Sequence, residues 1–212
     1  AAGRRATHSA ADRQGIGGGE CDMAAVEVEI SMSVDGFITG PDIEKDPAGL
    51  GRGGEILHAW FRHDPDGPRL LDDALFATSG AVITSRKIYD GMAGWGEDGF
   101  YRMPVFVLTH RPHDVVVRGE TTFTFMTEGI EAAITQAQAA AGGKKVHIMG
   151  GASVIQQALR AGLADSLHLH VAPVVLGAGT RLFDRLTGPI QLERTEVVES
   201  QFATHLRFRV VK

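Results

Sequence analysis

The sequence predicts an α/β fold in which a mixed, mostly parallel sheet ends in an antiparallel C-terminal hairpin. Two observations support this fold class. Strand patterns alternate with helix patterns as far as residue 165, and such alternation produces parallel strands joined by crossover helices. After residue 165 strand patterns follow one another without helices, which favours antiparallel pairing at one edge of the sheet.

The first predicted strand covers residues 26–34, where apolar side chains occupy every second position. The turn Asp35-Gly36 ends it, and a Gly-rich loop follows from Gly40 to Gly54. Apolar runs between turn residues and stretches of helical period predict the other elements. They are helices 55–61 and 69–77, strands 80–84, 104–109 and 122–126, a helix from Ile130 to about residue 141, strand 145–149, a helix after Gly151, strand 166–176 with a break or bulge at Pro173, and strands 190–198 and 203–211.

The composition is that of one globular domain. The chain has 212 residues, of which 43% are hydrophobic and 22% charged, and its net charge of −5 is spread along the sequence. No basic stripe suggests a nucleic-acid partner, and no apolar run approaches the roughly 18 residues of a membrane span. Cys21 is the only cysteine, which excludes a disulfide framework and a cysteine-based zinc site. No secretory signal pattern is present, so we expect a cytoplasmic protein.

Residues 1–22 differ from the rest of the chain. They contain one Ile, no aromatic residue and the run Gly17-Gly18-Gly19. So little apolar surface cannot offset the entropy of ordering the segment. We expect a disordered leader, whether native tail, vector remnant or misplaced start, followed by a single domain over residues 23–212.

The sharpest local motif is Gly150-Gly151-Ala152-Ser153, between strand 145–149 and a helix. Glycines at a strand-to-helix turn let the backbone approach a ligand closely. The helix that follows offers free N–H groups and the positive end of its dipole to a phosphate. The motif is not a complete G-x-G-x-x-G fingerprint, and a tight turn without a ligand is the alternative.

Two further strand ends carry residues suited to phosphates. Ser85, Arg86 and Lys87 follow strand 80–84, and Thr109, His110 and Arg111 follow strand 104–109. Open α/β sheets bind ligands at the carboxyl ends of their strands, although each segment alone is also compatible with a solvated loop. The three cations among these residues could supply the charge that a 2′-phosphate requires, which favours NADPH over NADH.

Several motifs in fixed order give the chain a specific resemblance. S-V-D-G begins at Ser33, S-R-K-x-Y at Ser85 and G-G-A-x-V at Gly150. Together, over residues 26–210, they resemble the dihydrofolate reductase-like superfamily. The chain is most similar to the branch containing the reductase domain of the bifunctional riboflavin-pathway deaminase-reductase. The resemblance implies a three-layer dihydrofolate reductase-like fold, NADPH lying across the strand ends, and a homodimer formed through C-terminal strands.

The resemblance also implies roles for individual residues. The backbone of Ile30 and Ser31 would meet the nicotinamide carboxamide, and the loop after Asp35-Gly36 would cover the nicotinamide ring. The segments 85–87 and 109–111 match cofactor-binding turns of the family, with Ser85 in place of the usual glycine. The segment 150–153 matches the turn that binds the pyrophosphate.

One position departs from the folate reductases. Those enzymes carry a carboxylate on the first helix that binds the pterin ring, and the matching position here is Leu57, with Glu55 two residues earlier. Dihydrofolate is therefore not the expected substrate. A pterin-like molecule or an aminopyrimidine, such as 5-amino-6-(5-phosphoribosylamino)uracil, is the expected class. The alternatives are a non-catalytic ligand-binding protein and a flavin- or deazaflavin-binding protein on the same fold.

Reduction by a hydride also needs a proton source. Asp35 is the first candidate, because it ends the strand expected to approach the nicotinamide, although an Asx turn with Gly36 is equally consistent. Glu55 is the second catalytic candidate, and His58 on the same helix is a candidate for substrate contact. Either could simply be solvated.

His168 and His170 lie on the same face of one predicted strand. By the family resemblance, His170 would line the substrate pocket. Two histidines at this spacing also raise the question of a metal, but no third ligand is close in sequence. The sequence therefore favours half-buried sheet residues and predicts no metal site.

Overall fold

The computed structural model describes residues 23–46 and 49–212. The predicted leader lies outside the described residues. The strands are β1 (Val26–Ser33), β2 (Phe37–Thr39), β3 (Ser79–Ser85), β4 (Pro104–Leu108), β5 (Val116–Arg118), β6 (Thr121–Met126), β7 (Lys145–Ile148), β8 (Ser166–Ala172), β9 (Thr180–Arg181), β10 (Leu192–Glu199) and β11 (Thr204–Val210). The α-helices are α1 (Ala59–Arg62), α2 (Gly67–Leu71), α3 (Arg86–Gly91), α4 (Ile130–Ala140) and α5 (Ala152–Arg160).

Nine of these strands form one sheet in the order β10-β11-β8-β1-β7-β3-β4-β6-β5. The six strands from β8 to β6 in that order are mutually parallel. Antiparallel pairing occurs at both edges, between β5 and β6 and within the group β8, β11 and β10. The predicted mixed, mostly parallel sheet with a C-terminal hairpin is therefore confirmed.

Both faces of the sheet are covered, which makes three layers. On one face, α4 and α5 pack against apolar residues of β1, β3 and β7, including Val28, Ile83 and Ile148. On the other face a second cluster forms around Phe123 and Tyr89, with the chain segment after α2 packed against it. Burial on both faces explains why β3, β4 and β7 read as nearly continuous apolar runs.

Some predicted elements have different bounds in the structure. The predicted strand 166–176 ends at Ala172, because Pro173 cannot donate to a ladder and Val174 turns back to the carbonyl of Ala172. Residues beyond it form β9, which pairs with β2. The predicted helix 55–61 is a 3₁₀ segment, Gly54–His58, followed by α1.

The predicted helix 69–77 corresponds to α2 followed by a π-helical turn, Asp72–Phe76. The sequence analysis did not predict β5, which at three residues is too short to show an alternating pattern. Among the described residues, no helix combines the length and the apolar character needed to cross a bilayer.

Candidate active site

The carboxyl ends of β1, β7, β3 and β4 meet at one edge of the sheet because these strands are parallel. Pairing between β1 and β7 ends at Val28 and Ile148, whereas β1 remains paired with β8 as far as Ser33. The end of β1 therefore extends past β7, next to the glycine turn. Ile30 borders this turn, since its Cδ1 lies 3.5 Å from where a Cβ on Gly150 would be. The predicted Ile30 and glycine segments are thus adjacent at this edge of the sheet, and this edge is called the crevice below.

The two glycines of this turn have different roles. Gly150 has φ of 120°, a conformation that favours glycine, and the peptide bond between Gly150 and Gly151 is cis. Gly151 is the N-cap of α5, with φ of −78°, and no side chain caps the helix there. A Cβ on Gly151 would make only ordinary contacts, 3.5 Å from Ile88 Cδ1 and 3.9 Å from Ser85 Oγ. The fold therefore does not require glycine at position 151. Because no side chain caps α5, the first amide groups of the helix are open to an anion.

Ser85 lies beside this turn because β3 and β7 are neighbours. Its hydroxyl caps α3 by accepting a hydrogen bond from the amide of Ile88 at 3.3 Å. Thr109, at the end of β4, makes a similar local turn, in which its Oγ1 accepts from the amide of Arg111 at 3.1 Å. Both hydroxyls therefore shape the backbone at the strand ends.

Of the predicted cations, Arg86 lies against Phe125 of β6. The guanidinium of Arg86 lies 5.3 Å from the centre of the Phe125 ring and is fixed by Asp90 at 2.7 Å. On the neighbouring loop, the ring of His113 lies 4.3 Å from the same phenyl ring. Phe125 thus connects the segment after β3 with the loop after β4. The exposed residues on these two segments are Lys87, His110 and Arg111. The helix α5 begins with Ala152 and Ser153.

Asp35 ties two loops together. Its carboxylate accepts hydrogen bonds from the amides of Leu176, at 3.1 Å, and Gly177, at 2.7 Å. A hydrogen bond from Ser33, together with these amides, lowers the pKa of Asp35 to about 2. The group is therefore ionised at neutral pH. The interaction links the loop after β1 to the segment that leads into β9.

The first helical segment covers the face of the sheet opposite α4 and α5. Leu57, at the position of the folate reductases' carboxylate, is completely buried, whereas Glu55 is exposed. His58 is largely buried, and burial, with Arg62 nearby, lowers its pKa to about 4. Trp60 is buried and donates from Nε1 to Ser31 Oγ at 2.8 Å. Ser31 is thus connected to the first helix.

His170 belongs to a buried polar network beneath Trp60. The two rings are stacked with centroids 4.0 Å apart. His170 Nε2 donates to Glu29 Oε1 at 3.0 Å, and His170 Nδ1 lies 2.6 Å from His205 Nδ1. His147 and His168 lie farther from the same carboxylate, with Nδ1 atoms 3.6 and 3.8 Å from Glu29 Oε2.

The sequence analysis missed Glu29, His147 and His205 as members of this network. A signal was available, because Glu27 and Glu29 alternate with apolar residues on β1. The sequence analysis used that alternation to predict a strand and assigned no role to its polar positions. In a three-layer fold both faces of a central strand are buried, and buried carboxylates require partners.

Structural comparison finds the same architecture in proteins of known structure. The chain matches a protein assigned to riboflavin biosynthesis from Shewanella sp. PV-4 with a TM-score of 0.68 and 21% identity, covering 89% of this chain and 99% of that chain. It matches dihydrofolate reductase of Enterococcus faecalis, complexed with NADP(H), with a TM-score of 0.59 and 15% identity, covering 89% and 97% of the two chains.

A third match is the diaminohydroxyphosphoribosylaminopyrimidine deaminase/5-amino-6-(5-phosphoribosylamino)uracil reductase of Thermotoga maritima. Its TM-score is 0.60 and its identity 12%, and the match covers 89% of this chain but only 57% of that chain. At these identities the three matches establish the dihydrofolate reductase-like fold.

Sequence comparison identifies the family. No curated protein sequence matches the chain. The family model of the RibD C-terminal domain, however, matches residues 24–205, which include every strand from β1 to β10 and all five α-helices. The chain therefore belongs to the RibD C-terminal domain family, a family of reductase domains.

Proposed function

We propose that the protein is an NADPH-dependent reductase that transfers a hydride to a small heterocyclic substrate. Family membership supports an oxidoreductase of the riboflavin-pathway type. The observation that carries the proposal is the uncapped start of α5 behind Gly150-Gly151, at the carboxyl edge of the sheet. An open helix N-terminus at this position is suited to a pyrophosphate.

The remaining cofactor contacts follow from the same placement. Arg86, Lys87 and Arg111 would contribute positive charge for the 2′-phosphate. Arg86 is well placed for this role because Asp90 and Phe125 restrict its side chain. Thr109 and Ser85 shape the turns beside the phosphates, and His110 contributes a further donor. The backbone of Ile30 and Ser31, at the end of β1, would meet the carboxamide.

The substrate would lie at the rim of the first helical segment, near His58, because Trp60 and His170 stack directly on each other and fill the space between this segment and the sheet. Leu57 replaces the carboxylate that binds a pterin, which supports an aminopyrimidine such as 5-amino-6-(5-phosphoribosylamino)uracil over dihydrofolate. NADPH, when bound, supplies the hydride for reduction of a C=O or C=N bond. The protein must then provide or admit a proton.

Two carboxylates are candidates for the proton step. Asp35 is ionised and already accepts two backbone hydrogen bonds, so its geometry suits a positioning role for the covering loop better than proton donation. Glu55 is exposed at the start of the first helical segment, where it could exchange protons with solvent. We therefore assign proton delivery to Glu55 or to an ordered water, with Asp35 holding the loop closed.

The first experiment is a fluorescence titration with NADPH, NADH, FMN and a deazaflavin. We expect tight NADPH binding and weaker NADH binding. In the Arg86→Ala/Lys87→Ala double variant, NADPH affinity should fall roughly 100-fold or more, because each charge-assisted hydrogen bond contributes about 1.5–3 kcal/mol and two are lost, while NADH affinity should hardly change. Arg160→Ala, at the far end of α5, is the matched control.

A second variant tests the pyrophosphate position. Gly151→Ala fits the apo fold, yet its methyl group would occupy the space above the α5 amides, so binding of both nicotinamide dinucleotides should weaken. The control is Gly188→Ala, because a Cβ on Gly188 would meet no atom within 4 Å. Binding of only FMN or the deazaflavin would replace the proposed cofactor. No binding of any of the four would favour a non-catalytic protein.

A further inference from the structure

Three buried histidines from two neighbouring strands converge beneath Trp60. His168 and His170 project from the same face of β8, and β11 places His205 directly opposite His170 in the antiparallel ladder. The three residues are only 5%, 2% and 3% exposed, in that order. One ring nitrogen from each lies within 4.8 Å of the others.

This spacing is close to that of a metal site. Zinc–nitrogen bonds of about 2.0–2.1 Å in a tetrahedral site place pairs of nitrogen ligands about 3.3 Å apart. The Nδ1 atoms of His170 and His205 are 2.6 Å apart, and no pair of ligand nitrogens in the set is more than 4.8 Å apart. Small side-chain rotations would bring all three nitrogens to bonding distance of one ion.

Glu29 provides the outer partner that metal-binding histidines usually have. It accepts a hydrogen bond from His170 Nε2 at 3.0 Å. That bond places the ring proton on Nε2 and leaves the Nδ1 lone pair directed towards His205. Zinc-binding histidines usually donate their other ring N–H to a carboxylate in this way, which fixes the orientation of the ring.

The neighbourhood also contains buried polar atoms that no protein group satisfies. Within the described residues, Glu29 Oε2, His147 Nδ1 and His168 Nδ1 lack a hydrogen-bond partner. Buried polar atoms nearly always have a hydrogen-bonding or ionic partner, so unsatisfied atoms around the three histidines point to a bound group.

The nearest cations are engaged elsewhere. Lys145 and Arg207 both pair with Glu27, at 3.3 and 3.4 Å, towards the other end of β1. Within the described part of the chain, the ion pairs of Glu29 are with His147, His168 and His170. A divalent ion on the neighbouring histidines would compensate the buried negative charge, which otherwise carries a desolvation cost.

We propose that His168, His170 and His205 bind a Zn²⁺-like divalent ion, with Glu29 orienting His170. Three imidazole donors favour zinc and similar transition ions over Mg²⁺ or Ca²⁺, which require oxygen ligands. Ser31, which is proposed to meet the nicotinamide, lies opposite His170 in the β1–β8 ladder, so the test below measures metal binding directly and does not rely on cofactor binding.

The competing arrangement has no metal. Ser200 Oγ lies 3.3 Å from His205 Nε2, so a chain of hydrogen bonds could run from Ser200 through His205 and His170 to Glu29. In that case one proton lies between the two Nδ1 atoms and there is no room for an ion. A metal-binding experiment separates the two arrangements.

The test uses the full chain, stripped with a chelator and then incubated with Zn²⁺, Co²⁺ or Mg²⁺. We expect one equivalent of Zn²⁺ by mass spectrometry of the metal, a rise in Tm with Zn²⁺ but not with Mg²⁺, and intense visible Co²⁺ absorption typical of tetrahedral nitrogen coordination. His205→Gln should reduce Zn²⁺ affinity at least 100-fold. His63→Gln, on an exposed residue, is the control.

Failure of the wild-type protein to retain Zn²⁺ or to show tetrahedral Co²⁺ absorption would overturn the proposal in favour of the hydrogen-bonded chain. Full Zn²⁺ binding by His205→Gln would overturn it as well. Should His205→Gln not fold, the wild-type stoichiometry and the Co²⁺ spectrum still decide the question.

Discussion

At the residue scale, His58 shows how burial changes the chemistry of a single side chain. It is largely buried, its Nδ1 has no partner among the described residues, and its pKa is about 4. The folded state therefore resists protonation of a residue that titrates near 6.5 in the unfolded chain. A neutral imidazole next to the proposed substrate position can accept or donate one hydrogen bond without introducing a charge.

We predict a specific pH dependence from this residue. Because the folded pKa is lowered, the unfolded state binds the proton first, and stability is lost as the pH falls from about 6.5 towards 4. In His58→Gln this loss should shrink by roughly 1–3 kcal/mol, measured by denaturant unfolding at pH 7 and pH 4. His63→Gln, an exposed neighbour, should follow the wild-type curve. Identical pH profiles for wild type and His58→Gln would contradict the prediction.

At the scale of elements, contacts between loops fix the segment that follows β1. β2 and β9 form a two-stranded ribbon, and Arg181 of β9 stacks on Phe37 of β2 with its guanidinium 4.4 Å from the ring centre. Asp35 adds two hydrogen bonds to the segment before β9. The segment after β1 is therefore held by side-chain contacts together with backbone hydrogen bonds, from the amide of Val34 to the carbonyl of Val174 and from the amide of Leu182 to the carbonyl of Gly36.

Asp35→Asn tests this attachment. An Asn side chain has one acceptor oxygen, so it can keep only one of the two hydrogen bonds from Leu176 and Gly177. We expect faster hydrogen exchange at residues 174–182, measured by mass spectrometry, and a higher KM for the reductase substrate with a smaller change in kcat. Asp184→Asn, which changes an exposed carboxylate nearby, should leave exchange unaltered. Loss of kcat alone, with unchanged exchange, would instead indicate proton donation by Asp35.

At the scale of the whole molecule, the C-terminal hairpin leaves one edge of the large sheet open. All eight residues of β10 are exposed, including the apolar Leu192, Val197 and Val198. An open edge with exposed apolar side chains favours pairing with another chain. The homodimer suggested by the family resemblance stays a prediction, and this edge is where we place its interface.

Light scattering after size-exclusion chromatography should give the mass of a dimer. Val197→Lys/Val198→Lys adds like charges to the edge and should shift the protein towards the monomer. Val117→Lys on β5, another exposed valine near the opposite edge of the sheet, is the control. A monomeric wild-type protein would contradict the prediction.

Much of the fold was predictable because its signals are local. The alternation in β1, the apolar runs of β3, β4 and β7, and the glycines at residues 150–151 each lie within a few neighbouring residues. The short strands β5 and β9 were not predictable, since three and two residues carry no period. Pro173 was noted as a break, but only the structure shows that β8 ends before it.

The sequence by itself determined the fold class, the family and the strand ends that form the proposed cofactor crevice, because parallel strands bring their carboxyl ends together wherever they occur in the chain. Only the tertiary structure decided the surroundings of Glu29. His170 and His205 are 35 residues apart, and Glu29 is 141 residues from His170. Their meeting depends on the pairing of β8 with both β1 and β11 and on a first helical segment that buries this face. A local sequence pattern shows neither which strands pair nor which face the helical segment buries.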